Sequence, residues 1–528
     1  MNNAGTQLES AADRNGDLYP DYPGGVSETL EGVGADQVIR SVGLNTIYQV
    51  GSQLAPMVAA IAGIPYLLRH LGPDAFGIVT LFSTALIYFT MLDLGLGRAA
   101  TRFIAQSLEA GSPDHVRRYF WGSILLLTGI GCIASVGSIL FVPRLVTHYL
   151  KISPVYYHAS VESFYLISIA IPLVTLTATF RGMLEAFGRF ALISVVTGCS
   201  GIGLYLFPAL AVMFGGGLVW VAVTYVVVRV GIALAFAIGC LRVANRPSLK
   251  PSINSEAIKK MLSFGGWLSV SNIIGCAILY GDRFLLGSCI GMAAVASYSV
   301  PMDVIGRMQI LITSFCSVLF PLLSRLDHSG SARFEAIYRS AVALGLSIMT
   351  PLTIGLVLLA PYLMRFWLKS RNTPEAVFAA QVFLAGAVVQ ATAAIAFTAL
   401  HARGRADLAA WIHMAEFPIY CAAFYWASIH YGVKGAALAW LGRVIVDCIG
   451  IILLLKFHKG DIRPVLIPEL VASLVSFGIL LTASLYGRTA VLAGAAVCAL
   501  TWLWTWRTIL DREMRAPLNR ALFSWRTR

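Results

Sequence analysis

Apolar blocks long enough to cross a bilayer follow one another from about Val42 to Trp506, and the Lys and Arg between them crowd into every second gap. A spanning helix needs roughly 20 mainly apolar residues, because the hydrocarbon layer is about 30 Å thick and each residue rises about 1.5 Å. With 58% hydrophobic and 12% charged residues, a chain of 528 residues lacks the polar surface to cover a soluble core. Lipid is therefore its solvent.

About fourteen blocks meet the length test. They lie near 42 to 68, 76 to 97, 119 to 142, 161 to 181, 191 to 214, 217 to 240, 261 to 287, 294 to 323, 338 to 360, 376 to 400, 409 to 430, 433 to 456, 464 to 486 and 489 to 507. The gaps give the orientation, since short loops rich in Lys and Arg stay on the cytoplasmic side. One set of gaps carries Arg98, Arg102, Arg117, Arg118, Arg181, Arg189, Arg242, Arg246, Lys250, Lys259, Lys260, Arg325, Arg333, Arg339, Arg403, Arg405, Lys456, Lys459 and Arg463. With both termini this side holds about 27 basic residues, against about 8 in the alternate gaps, which include Arg69, Lys151 and Arg365. The sequence thus predicts a multi-pass membrane protein with both termini in the cytoplasm.

The net charge of +13 follows this loop pattern and fits anionic lipid headgroups, so no nucleic-acid partner is expected. Residues 1–38 read as a disordered acidic tail, with Asp13, Asp17, Asp21, Glu28, Glu31 and Asp36 among Gly and Pro. They lack the basic start and short apolar run of a signal peptide. The segment 508–528, with Arg512, Arg515, Arg520, Arg526 and Arg528, follows Trp502, Trp504 and Trp506 and reads as a basic cytoplasmic tail at the interface. The nine cysteines fall in predicted spans, or just past one for Cys289, without Cys-x-x-Cys spacing, and read as small apolar side chains.

Four landmarks recur at a nearly constant offset. Gly43 matches Gly265, Arg102 matches Arg325, Ala186-Phe187-Gly188-Arg189 matches Ala402-Arg403-Gly404-Arg405, and Phe214-Gly215 matches Tyr431-Gly432, at offsets of 222, 223, 216 and 217. A six-helix repeat begins and ends on one side of the membrane, so its two copies share an orientation. The expected organisation is a bundle over 39–240, a basic linker over 241–260, a second bundle over 261–456, and two further spans over 457–507.

Leu71-Gly72-Pro73-Asp74-Ala75-Phe76-Gly77, Leu92-Asp93-Leu94-Gly95-Leu96-Gly97-Arg98 and Thr101-Arg102-Phe103 resemble the opening of the polysaccharide biosynthesis flippases, the Wzx type. Tyr280-Gly281-Asp282-Arg283-Phe284-Leu285-Leu286-Gly287 with Val295-Ala296-Ser297-Tyr298 resembles the second landmark of that family, and the likeness extends over about residues 41 to 460. That family shares the multidrug/oligosaccharidyl-lipid/polysaccharide (MOP) superfamily with the multidrug extruders and the lipid II flippases. The resemblance implies an all-α polytopic fold with two six-helix bundles in a V, working by alternating access. It implies as substrate an undecaprenyl-diphosphate-linked oligosaccharide moved to the outer leaflet for O-antigen, capsule or exopolysaccharide assembly. A polysaccharide polymerase and a chain-length regulator follow as partners beside the membrane lipids. The acidic N-terminal extension departs from the family pattern. The Gly-x-x-x-Asp-Arg-x-Gly-Arg-Arg signature of the rival twelve-helix major facilitators is missing from Gly97 to Tyr119.

Four arginines stand inside predicted spans: Arg229, Arg283, Arg307 and Arg443. A charge at the bilayer centre costs about 2.5–3.5 kcal/mol on insertion scales, so each needs a wet cavity or a partner. Asp303 with Arg307, and Arg443 with Asp447, sit four apart and so share a helix face on which they can neutralise each other. Asp282 and Arg283 diverge by about 100° around their helix and must look to other spans. Arg229 has no acidic neighbour within a turn, and it and Arg443 occupy similar places in the two repeats. Guanidinium matches phosphate oxygens bidentately and stays protonated, so these four are the candidate substrate-binding cations for a diphosphate headgroup. His413 and Glu416, three apart on one face, are candidates for coupling to a proton or sodium gradient, with no other cofactor expected. Asp93 near the inner end of span 2 reads as a coupling residue or a loop cap beside Arg98. Pro56, Pro172, Pro208, Pro351 and Pro418 interrupt spans as hinges or as packing points.

Two other classes compete with a flippase. A glycan-assembling membrane enzyme needs paired catalytic groups or a sizeable outer loop, and the longest outward gap, about 18 residues near Pro143 to Ser160, offers only His148 and His158. A small-molecule exporter of the same superfamily would share the twelve-helix pattern, and spans 13 and 14 with the Arg-rich interior favour the lipid-linked substrate.

Overall fold

The structure is a computed structural model that describes residues 35–91, 96–243, 251–252, 254–324 and 332–455, with isolated positions 478, 496 and 499. The acidic tail up to residue 34, Asp93, the expected spans 464–486 and 489–507 and the basic tail lie outside the described residues. Among the described residues every regular element is helical. The helices are α1 (Ala35–Leu71), α2 (Pro73–Met91), α3 (Leu96–Glu109), α4 (Pro113–Arg144), α5 (Tyr157–Ile169), α6 (Ile171–Ala186) and α7 (Phe190–Met213). They continue with α8 (Leu218–Val243), α9 (Ser255–Cys289), α10 (Met292–Gly306), α11 (Gln309–Ser324), α12 (Ala332–Leu368), α13 (Pro374–Ala402) and α14 (Ala406–Leu454).

Ten candidate membrane spans satisfy length and composition among the described residues. One of them, Asp407–Leu454, contains the backbone break at Gly432 (φ 63, ψ −145), so it comprises the eleventh and twelfth expected spans. The fourth expected span is two helices, α5 and α6, which meet at Ala170 with Pro172 in the first turn of α6. The eighth is likewise divided, into α10 and α11, with Arg307 at the C-cap of α10.

By internal contacts the chain divides into two compact units, Met1–Tyr280 and Gly281–Arg528, so α9 gives its last turns to the second. Left-handed glycines mark equivalent turns in both. Gly188 and Gly404 have φ of 67 and 70, Gly215 and Gly432 have 83 and 63, and Gly72 and Gly291 have 83 and 131. Side chains with a Cβ rarely adopt this region, so the landmarks Gly188/Gly404 and Gly215/Gly432 are repeated backbone turns.

In the first unit Leu96, Ile104, Phe120, Leu127, Met183, Leu184, Phe236 and Met261 form a buried apolar core drawn from α3, α4, α6, α8 and α9. α1 and α7 approach through small residues. A Cβ placed on Gly201 would come 2.5 Å from Pro56 Cγ, and one on Gly198 would come 3.1 Å from Ser52 Cα. Pro56 is thus a packing point, as small-residue contacts between membrane helices require.

Tyr149, Phe214, Tyr362, Phe366, Trp426 and Tyr431 are exposed near the gaps expected on the outward side. Amphipathic rings of this kind collect where lipid meets water.

Candidate functional site

Most of the charged candidates converge in the second unit, where α9, α10 and both arms of α14 contribute to one buried polar network. Asp282 and Arg283 on α9 are 1% and 4% exposed, which forces both to find partners. Asp282 Oδ1 accepts the backbone N–H of Arg283 at 2.8 Å, and its Oδ2 accepts the hydroxyl of Tyr298 on α10 at 2.7 Å. Arg283 reaches the other way, donating from Nη2 to Asp303 Oδ1 on α10 at 2.5 Å. The two neighbours diverge around α9, as helix geometry requires, and α10 answers both.

The bend at Gly432 folds α14 on itself, so charges far apart in sequence face one another. Arg443 Nη1 on the second arm donates to Glu416 Oε1 on the first at 3.2 Å, with both side chains 7% exposed. The same guanidinium lies over the Tyr420 ring, 5.5 Å from its centroid, within cation–π range. One turn along, His413 Nε2 stands 3.2 Å from Asp447 Oδ1. Asp282 lies within electrostatic reach of Arg443 and Tyr420, which joins the α9–α10 pairs to the α14 ladder. Aromatic edges wall the centre: Tyr298 meets Phe383 and Phe424 edge-on at 5.0 and 6.0 Å, and Phe383 meets Trp440 at 5.0 Å.

These contacts correct the expected pairing along single helices. Asp303 has its ion pair with Arg283 of α9, and Arg307 stands at the C-cap of α10. Arg443 pairs with Glu416 and Asp447 with His413, because the antiparallel arms of α14 bring whole side chains together across a helix interface. His413 and Glu416 share a face within electrostatic reach of each other, and each also faces a charged group on the second arm, Asp447 and Arg443 respectively. Arg307 is half-buried at the α10–α11 break. Arg229 belongs to the first unit, half-buried on α8 one turn beyond Tyr225, and its Nε has no hydrogen-bond partner among the described residues.

Tyr298 and Tyr420 are the functional-site residues that charge counting missed. A Tyr in a buried apolar helix needs a partner for its hydroxyl, and that requirement is the sequence signal that points to Tyr298. Glu416 Oε2 and Arg443 Nε remain buried without hydrogen-bond partners among the described residues. The network thus gathers four carboxylates, two guanidiniums and one imidazole, with polar capacity left over at its α14 end.

Comparison with known proteins gives a consistent picture. A family model described as polysaccharide biosynthesis protein matches residues 42–327. A Shigella flexneri protein named "Putative O-antigen transporter" is 28% identical over 406 residues, which cover 77% of this chain and 95% of the relative. An inward-facing conformation of a multidrug resistance MATE family transporter of the MOP superfamily superposes with a TM-score of 0.65 at 14% identity, covering 79% of this chain and 98% of that one. Lipid II flippase MurJ in an inward closed conformation gives 0.65 at 13% identity, covering 87% and 97%. At such identities the likeness is one of fold, and that fold is the all-helical one of MOP-superfamily transporters.

Proposed function

Because the chain belongs to the polysaccharide biosynthesis protein family, we propose that this multi-pass membrane protein is a flippase for undecaprenyl-diphosphate-linked oligosaccharide repeat units. It carries them from the cytoplasmic to the outer leaflet of the inner membrane, with both termini in the cytoplasm. The carrying observation is the match to the relative named "Putative O-antigen transporter" over 95% of that relative's length. Its relatives are transporters, which favours transport over glycan-assembling catalysis. The fold likeness to a multidrug transporter supports a small-molecule exporter as the second reading, and the family match favours the lipid-linked glycan.

The proposed mechanism is alternating access. Arg229, which has no ion pair among the described residues, whereas Arg283 and Arg443 have one each, is the cation most available to a diphosphate. Arg283 and Arg443 are already neutralised by Asp303 and Glu416, so their part is to hold the second unit's interior in one arrangement until a partner is exchanged. Coupling to a proton or sodium gradient is assigned to the α14 ladder. Its supporting observation is the excess of carboxylates over guanidiniums, together with a Glu416 Oε2 that has no hydrogen-bond partner among the described residues. A polysaccharide polymerase and a chain-length regulator would receive the product on the outer side.

Deleting the gene in its host tests the reading. The polymerised surface glycan should disappear while single lipid-linked repeats accumulate, and an unchanged glycan pool would refute a flippase.

A further inference from the structure

The second unit carries a concentration of positive charge on the side where loop charges are otherwise sparse. Arg365 and Lys369 lie one turn apart at the end of α12, Arg371 follows in the short 3-10 turn Lys369–Arg371, and Lys434 opens the second arm of α14. All four are exposed, and Arg365, Lys369 and Arg371 alone are three of the about eight basic residues counted on the outward side. Translocated loops normally avoid Lys and Arg, so a cluster there runs against the rule that orients the rest of the chain. Between residues 361 and 376 the only acidic residue is Glu375.

The cluster is structured. Lys434 Nζ sits over the Phe378 ring, 5.7 Å from its centroid, which places the α14 cation beside the first turns of α13. Thr373 caps α13 by accepting from the Ala376 N–H at 3.2 Å and donates to Ser297 on α10 at 3.4 Å, which fixes the intervening turn. Lys369 is the one described non-glycine residue with left-handed backbone, φ 50. A long side chain there is costly where Gly or Asn would be at ease, and such strain persists where a site needs the side chain. Tyr362 and Phe366, 73% and 81% exposed on the same helix, put the cluster at the level of lipid headgroups.

We propose that Arg365, Lys369, Arg371 and Lys434 form an egress site that binds the diphosphate of the prenyl-linked substrate once it reaches the outer leaflet. Resting on the flippase reading and on the sidedness read from loop charges, it deepens both by giving the headgroup a place to leave to. Several exposed cations around a fixed turn suit a doubly phosphorylated headgroup, which offers more charge than a single phospholipid phosphate.

The test uses the full chain in right-side-out vesicles, with a membrane-impermeant benzophenone-tagged short-chain prenyl diphosphate added from outside. Crosslinks should map to residues 365–378 and 434, and the triple variant Lys369→Gln, Arg371→Gln, Lys434→Gln should lose labelling by about tenfold. Undiminished labelling of the triple variant overturns the site. Labelling abolished by enriching the vesicles in phosphatidylglycerol also overturns it, by making the cluster a general anionic-lipid contact. Lys369→Gly should melt higher and label less, and higher melting with full labelling contradicts a strain kept for the cation. If lipid-linked oligosaccharide is not transported although the probe labels normally, the flippase reading fails and the binding site stands. Normal transport with unchanged labelling of the triple variant has the opposite meaning.

Discussion

Tyr298 donates its hydroxyl to Asp282 Oδ2 at 2.7 Å and so ties together two landmarks that lie 16 residues apart on different helices. Both groups are buried, and the hydroxyl is the only partner among the described residues shown for Oδ2 from outside α9. Tyr298→Phe should therefore cost about 1–3 kcal/mol, the desolvation cost of a buried acceptor left unmade. Thermal unfolding of the purified protein in one detergent measures it, and an unchanged melting temperature would mean that Asp282 is satisfied without Tyr298.

The Glu416–Arg443 pair makes a second prediction. Arg443→Ala leaves a buried carboxylate without its cation and should destabilise by about 3–5 kcal/mol, whereas Glu416→Gln with Arg443→Met should recover most of that. Unfolding midpoints of the single and double variants check the difference. Additive losses would show that the two side chains do not act as a pair.

Just past the end of α13, Arg403 joins three helices. It donates to the Leu455 carbonyl just past α14, covers the Phe334 ring at 4.3 Å, and is pushed below its ordinary pKa by burial. Lysine lacks the planar fork that makes both contacts, so Arg403→Lys should lower stability by about 1–2 kcal/mol, nearly as much as Arg403→Ala. Full rescue by lysine in the same melting assay would reduce its role to charge.

Packing of α1 on α7 gives a third kind of test. Gly201→Ala puts a Cβ about where Pro56 Cγ already stands, 2.5 Å away, and a proline ring cannot turn aside. The expected cost is about 1–3 kcal/mol, with reduced yield of folded protein by size-exclusion chromatography. Normal yield and melting would mean that the two helices can separate freely at this level.

How much of this was legible beforehand divides along the range of the interactions. Spans, connections and repeated turns were readable because each is written locally, in an apolar block, a basic gap or a glycine such as Gly188 or Gly404 with its left-handed φ. Partner choice was not. The four-residue spacing of Asp303 and Arg307 favours a pair on one helix, and nothing in that spacing announces that α10 stops at Gly306. Similarly, Arg443 and Glu416 are 27 residues apart, and only the bend at Gly432 decides which turns of the two arms meet. Arg229 stood out in the sequence because it lacks an acid nearby, and its Nε has no hydrogen-bond partner among the described residues.

Flipping of a lipid-linked oligosaccharide through a path that uses Arg229 is the central claim, and proteoliposomes holding the purified chain test it most directly. Fluorescent undecaprenyl-diphosphate oligosaccharide is placed in both leaflets, and the fraction reachable by an external quencher is followed over time. The account predicts that wild type exposes the protected pool, that Arg229→Ala inserts normally yet leaves that pool protected, and that a fluorescent phospholipid stays where it is. An undisturbed protected pool with wild type, or full exposure by Arg229→Ala, would contradict it.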